Sequence, residues 1–227
     1  VFLGTQFTLT FDFHAATYTA IFLPWIFYFL FKSRWRPFLF LMLIAMGTKE
    51  DAPLLLAAVA FYVFITKKNT NLGLYLLFLN LAYFFLVTKI VMPRLSIYPA
   101  KAFDTSEFPH NLVEWIGLLF DSPVKIRTML LTFGSFVFLP ILSGWFLIIA
   151  FAHFFINFFS HQFTGRWDIF LHYRAHLGSI LSFGAILGIE RIMNLKFLIK
   201  KRKILVLTIA SVIIVASLML DWYLHLP

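Results

Sequence analysis

An all-α, polytopic bundle of about eight transmembrane helices is the fold class this chain predicts, and three observations predict it. Hydrophobic residues make up 61% of the 227 residues and charged residues only 13%, whereas an ordinary globular domain carries about 25% charged residues. Mean hydropathy is +0.89. The apolar residues also gather into about eight stretches divided by short polar breaks. So little charge cannot clothe a soluble surface. At about 20 residues per helical crossing, the length allows roughly seven to nine spans.

The stretches run over 15–31, 36–48, 52–66, 72–91, 126–140, 144–159, 176–193 and 204–220. Each is expected to be helical, because a lipid-embedded segment must satisfy its own backbone hydrogen bonds. Together they form one integral membrane domain, 1–227, with 92–125 as its long extramembrane loop. The second stretch holds 13 residues, about 20 Å of helix, which falls short of a ~30 Å hydrocarbon slab. Its break from the third is Lys49-Glu50-Asp51, three charges within the otherwise uncharged stretch 37–65. Two short spans meeting at a charged turn fit this pattern better than one continuous helix. The 31 phenylalanines read as lipid-facing residues rather than as an aromatic cage. No internal repeat stands out.

Charge placement sets sidedness. If about eight spans alternate, one side receives Lys32, Arg34 and Arg36, then Lys67 and Lys68, a tight turn at 140–144, and Arg191 with the lysines and arginine of 196–203. That side collects eleven basic residues against one acid, Glu190. The other collects the remaining eight basic residues and nine acids. Positive charge marks the cytoplasm, so both termini are expected to be extracytoplasmic in a cell membrane. The net +9 is then a topogenic signal, and a nucleic-acid partner is not expected. No Walker-type glycine loop is present, which argues against cytosolic nucleotide hydrolysis. With no cysteine, disulfides and thiolate metal sites are excluded. The chain opens on Val1 without a signal-peptide pattern and reads as a fragment of a longer membrane protein.

The chemistry-bearing residues fall on the outer side. Asp12-Phe13-His14 precedes the first stretch; Asp12 is either a helix cap or, with His14, a contact for a polar head group or metal. Lys49, Glu50 and Asp51 either form a snorkelling and capping turn or line a cavity below the surface, since intramembrane ionisable groups are functional by default. There Lys49 would meet a phosphate, and Glu50 and Asp51 would hold the lysine or a divalent cation such as Mg or Mn. His172 and His176 lie one helical turn apart at the start of the seventh stretch. Arg174 between them opposes the helix dipole and so answers to an anion, or else anchors the interface with Tyr173. Within the long loop, 111–116 reads as a short amphipathic helix with Trp115 at the membrane surface; it either covers a lipid-linked substrate or is a plain connector.

These motifs carry a resemblance. Phe-Asp-Phe-His-Ala before a span, Lys-Glu-Asp between two short spans, basic turns on the opposite side and a late His-Tyr-Arg-Ala are similar to the DUF2079 family of prokaryotic multi-pass membrane proteins, from about residue 11 to 191. That family is grouped with the GT-C glycosyltransferases. The resemblance implies a GT-C-like bundle that moves a sugar from a polyprenyl-phosphate donor to an acceptor on the outer face. It also implies an acid in the first outer loop as base or metal ligand. No span precedes Asp12 in the sequence: the expectation is either that the N-terminal helices and catalytic acid of that pattern are absent from this chain or that Asp12 does something else. Glu50, Asp51 and Asp12 are the candidate catalytic acids within this sequence, a missing N-terminal loop being the other place for the acid. Lys49, Arg174, His172, His176 and His14 are the candidate phosphate ligands, and membrane lipids are the surrounding partners. A transporter or lipid flippase is the alternative, favoured by intramembrane charge in a broken span and disfavoured by polar residues on one side only. A non-catalytic membrane scaffold is the third reading.

Overall fold

The computed structural model describes residues 15–66, 68–95, 111–159, 164–168, 175–194 and 202–225, and among these all regular structure is helical. The helices are α1 Ala15–Phe31, α2 Trp35–Met46, α3 Ala52–Ile65, α4 Thr70–Leu95, α5 Leu112–Gly117, α6 Pro123–Gly134, α7 Leu147–Phe158, α8 Ala175–Met193 and α9 Arg202–His225. A 3-10 segment, Leu139–Phe146, runs into α7, and another, Thr164–Trp167, follows it. Three helices are long and apolar enough to cross a membrane: α4, the run Leu139–Phe158, and α8. Helices α1, α2 and α3 are shorter, with 17, 12 and 14 residues, while α9 runs for 24.

Local chemistry explains the boundaries. Asn69 caps α4 by accepting the Leu72 N–H at 3.2 Å, and Ser122 caps α6 by accepting from Val124 at 3.3 Å, ahead of Pro123. Near its end α4 widens into one π turn, Val87–Val91, where the Thr88 hydroxyl donates to the Phe84 carbonyl at 2.7 Å. The turn expected at 140–144 is divided in two, a reversal just before it and a kink at Gly144 within it, where φ 67° and ψ −130° leave the helical region. The Phe138 N–H reaches back to the Phe133 carbonyl at 2.9 Å, closing α6 in the manner of a Schellman stop. Val137 and Phe138 take left-handed φ of 52° and 56° there. Pro140 then starts the 3-10 segment instead of ending a helix, because its missing N–H is harmless in a first turn.

Helix α3 is the central post, with ten of its 14 residues buried. It packs against α4 on one side and α7 on another, while α1 packs on α2 and α8. Lipid supplies no hydrophobic force between helices, so close approach depends on small residues. A Cβ on Gly73 of α4 would lie 2.6 Å from the Phe64 nitrogen of α3. Gly184 and Gly188 of α8 admit the 3-10 segment: a Cβ on Gly184 would come 3.1 Å from Pro140 Cβ, and one on Gly188 would collide with the Leu139 carbonyl. Gly144, at φ 67°, gives the Arg191 guanidinium its place.

Phenylalanine proves not to be only a lipid-facing residue. Phe27, Phe38, Phe146, Phe154 and Phe158 are fully buried, while Phe40, Phe78 and Phe85 face outward. Where α1 and α3 finish, Phe27 meets Phe146 at 5.1 Å, Tyr62 meets Phe146 at 5.4 Å, and Phe31 stacks on Phe183 at 5.8 Å. Rings fill this end where aliphatic chains would leave gaps. Helix α9 is the contrast: Ile204, Leu207, Ile214, Leu218 and Trp222 are all exposed, and its Ser217 donates to the Ser135 carbonyl at 3.2 Å.

A buried ion pair facing two imidazoles

The break between α2 and α3 is built from backbone turns upward. Gly47 and Thr48 donate to the Ile44 and Ala45 carbonyls at 3.1 and 3.2 Å, and Ala52 donates to Lys49 at 3.2 Å. The Thr48 hydroxyl also donates to the Ala45 carbonyl at 2.7 Å and is hydrogen-bonded to Thr19 Oγ1, which ties the turn to the fully buried Thr19 of α1. The side chains then turn inward. Lys49 Nζ donates to Asp51 Oδ2 at 2.6 Å, and the two side chains are only 6% and 10% exposed. Lys49 does not snorkel, and the Asp51 carboxylate makes no capping bond to α3. Both bland readings of this turn therefore give way to a buried ion pair.

Three polar residues from other helices face that pair. His153 and Asn157 sit one turn apart on α7, and His176 opens α8; all three are buried. Asn157 Nδ2 donates to the His153 carbonyl at 2.9 Å and lies 3.3 Å from His153 Nε2. The rings of His153 and His176 stand 5.3 Å apart, inclined by 54°. Lys49, Asp51, His153, Asn157, His176 and Leu55 line a cavity of about 10 Å³, enough for about one water. Taking an ion out of water still costs several kcal/mol after relaxation. Here a cation, a carboxylate, two imidazoles and an amide converge in a chain with little charge to spare. Such a set can hold an anion on Lys49 and the imidazoles and exchange protons through Asp51 and the histidines.

Of the residues expected from sequence, Lys49, Asp51 and His176 come together. Glu50 does not line the cavity. Asp12, His14, His172 and Arg174 lie outside the described residues. Sequence reasoning passed over His153 and Asn157, although the signal was there: they are the polar side chains of LIIAFAHFFINF and are spaced i, i+4. No group of three His, Cys, Asp or Glu suited to a metal exists among the described residues.

The bundle holds a second buried cation. Lys125, at the start of α6, is fully buried; it pairs with Asp121 at 2.8 Å and donates to the Leu118 carbonyl at 3.0 Å. Its ammonium stands 4.2 Å over the Trp167 ring. Burial lowers its pKa below the ordinary 10.5, and the Asp121 hydrogen bond and charge pull it partly back. Helix α5 forms where expected, with the Asn111 side chain accepting the Glu114 N–H at 2.9 Å and donating to its carboxylate at 2.6 Å. Its Trp115 turns toward the bundle, stacked on Phe159 at 6.0 Å and edge-on to Phe155 at 6.2 Å.

The chain matches the family described as "Predicted membrane protein (DUF2079)" over residues 3–226. It therefore belongs to that family, as the motifs around Asp12, Lys49 and His172 led us to expect. Neither a curated protein nor a solved structure matches it.

Proposed function

We propose that this DUF2079 membrane protein is a glycosyltransferase-like enzyme of GT-C type, moving a sugar from a polyprenyl-phosphate donor to an acceptor on the outer face of the membrane. One observation carries the reading: the Lys49–Asp51 pair, 2.6 Å apart and buried, faces His153 and His176 across a small cavity. At rest Asp51 occupies Lys49. The donor phosphate competes for that ammonium, and its arrival releases the carboxylate. Asp51 then accepts the proton of the acceptor hydroxyl. The hydroxyl oxygen bonds to the anomeric carbon as the bond from that carbon to the phosphate oxygen breaks, and the electron pair leaves on the phosphate. Lys49 and the imidazoles stabilise that developing charge.

Glu50 and Asp12 are the other carboxylates of the proposal. His14, His172 and Arg174 join it as phosphate ligands because in sequence they adjoin α1 and α8, the helices that carry Thr19 and His176. A Mg or Mn ion on Glu50 and Asp51 would require Asp51 to leave Lys49, and Glu50 does not line the cavity; no step here runs through a metal ion. The aromatic packing of Phe27, Tyr62 and Phe146 at the opposite end supports a site open to one side over a transport path. The distribution of exposed Lys32, Arg34, Arg36, Lys68 and Arg191 at that end supports its being cytoplasmic.

The test is transfer and hydrolysis of labelled polyprenyl-phosphate sugars by the purified full-length protein across an acceptor panel. Asp51→Asn is expected to lower turnover by about 10²- to 10⁴-fold. Lys49→Ala is expected to lower it by about 10²- to 10³-fold. Absence of both transfer and hydrolysis with every donor would overturn the assignment.

A further inference from the structure

We infer that Asn157 is a positioning residue that holds His153 in its neutral Nδ1–H tautomer, leaving this imidazole able to donate a hydrogen bond but not to take up a proton. The two residues stand one turn apart on α7, each 3% exposed, and at that spacing their side chains share a helix face. Asn157 Nδ2 makes two contacts, 2.9 Å to the His153 carbonyl oxygen and 3.3 Å to His153 Nε2. A carbonyl oxygen only accepts, so the amide atom beside it is the nitrogen and not Oδ1. That nitrogen carries two hydrogens and accepts nothing. One hydrogen serves the carbonyl and the other serves Nε2, which must meet it with a lone pair. In a neutral imidazole the remaining nitrogen then carries the proton. That nitrogen is Nδ1.

The alternatives are costly in place. A proton on Nε2 would set N–H against N–H. Turning the amide over would set Oδ1 against the His153 carbonyl oxygen, which now accepts at 2.9 Å, and both side chains are buried. The charged and titratable groups that share the cavity are Lys49 and Asp51 of the α2–α3 turn and His176 of α8. Lys49 is occupied by Asp51 and, as an ammonium, accepts nothing. Proton uptake within the cavity therefore falls to Asp51 and His176, while His153 acts as a dipole of fixed sense. A preset donor costs no reorganisation when negative charge develops beside it. The same division of labour explains why α7, LIIAFAHFFINF, carries an amide one turn after its histidine and no other polar side chain.

This inference deepens the glycosyl-transfer reading and rests on it only for what the donor does; the tautomer is measured without substrate. Full-length protein, isotopically labelled in its histidine rings and asparagine amides, is reconstituted in lipid. Its ring nitrogens are observed by solid-state NMR near neutral pH, His153 being assigned through its contact with the Asn157 amide. The expected result is a protonated Nδ1 and an unprotonated Nε2. Asn157→Asp supplies a group that only accepts and is expected to bring a proton onto Nε2. Asn157→Leu, which neither donates nor accepts, is expected to let both tautomers appear. Turnover of a labelled polyprenyl-phosphate sugar is expected to fall about tenfold or more in Asn157→Asp. His153→Asn keeps an amide donor near the Nδ1 position and is expected to lose less turnover than His153→Ala. A proton on Nε2 in the parent, or a neutral Nδ1–H ring that persists in Asn157→Asp, overturns the tautomer assignment. Equal losses in His153→Asn and His153→Ala overturn the donor role. The expected tautomer without any sugar transfer sustains the inference and removes the enzymatic reading, and transfer by a parent with its proton on Nε2 does the reverse.

Discussion

The two ends of the bundle hold charges of the same kinds and treat them oppositely. Where α1 and α3 finish, Lys32, Arg34, Arg36, Lys68 and Arg191 are exposed, and the space between helices is filled by phenyl rings. Where α3 and α8 begin, Lys49 and Asp51 are turned inward and paired, and Lys125 at the start of α6 is likewise buried, paired with a partly exposed Asp121. A lysine that only marks sidedness needs water and nothing else. A lysine buried against an aspartate and two imidazoles costs desolvation and constrains three helices. The comparison separates topogenic charge from chemical charge in one chain, and substitutions can break it.

The largest difference is expected in stability. Asp51→Ala leaves Lys49 buried without its carboxylate and should cost about 3–5 kcal/mol, as measured by unfolding in mixed micelles. Lys68→Ala at the opposite end, where the exposed lysine gives up only a contact 4.5 Å over the Phe31 ring, should stay within about 1 kcal/mol. Equal effects would erase the distinction between the ends. Gly188→Val comes next. It drives a branched side chain into the Leu139 carbonyl, and overpacking of this kind costs typically 1–3 kcal/mol or more. Lys125→Ala should also cost about 1–3 kcal/mol, since it strips a hydrogen bond from the Leu118 carbonyl. Asp121 is 35% exposed on its side chain, so solvent relieves the carboxylate left behind and the loss should be smaller than at Asp51. The smallest effect is expected at Asn111→Ala, about 1 kcal/mol of local helix stability, read as faster amide exchange over α5 with the bundle core unchanged.

Much of the helix map was legible because hydropathy in a bilayer is a strong signal and the breaks are charged. The turn at Lys49 to Asp51 was legible for the same reason, as was the Asn111 cap of α5. What escaped reading has identifiable physical causes. The reversal at Val137 and Phe138 carries no glycine to announce its left-handed backbone, while Pro140 and Gly144 mark only the 3-10 segment and its kink at Gly144. Phenylalanine tolerates both core and lipid, so its abundance alone gave no hint of the buried cluster around Phe146. Partnership across the sequence was hidden as well. His176 looked toward His172 four residues away, yet the ring it faces is that of His153 on α7. Helical periodicity pairs residues within a helix; only packing pairs them between helices.

The central claim is that the paired end is chemical and the exposed end is not. Its most direct measurement sets Asp51→Asn against Lys68→Ala in full-length protein, both confirmed folded, with turnover of a labelled polyprenyl-phosphate sugar in proteoliposomes as the readout. The account predicts a loss of about a hundredfold or more for Asp51→Asn and a rate within about twofold of the parent for Lys68→Ala. Parent-like turnover by Asp51→Asn, or equal losses in both, would contradict it.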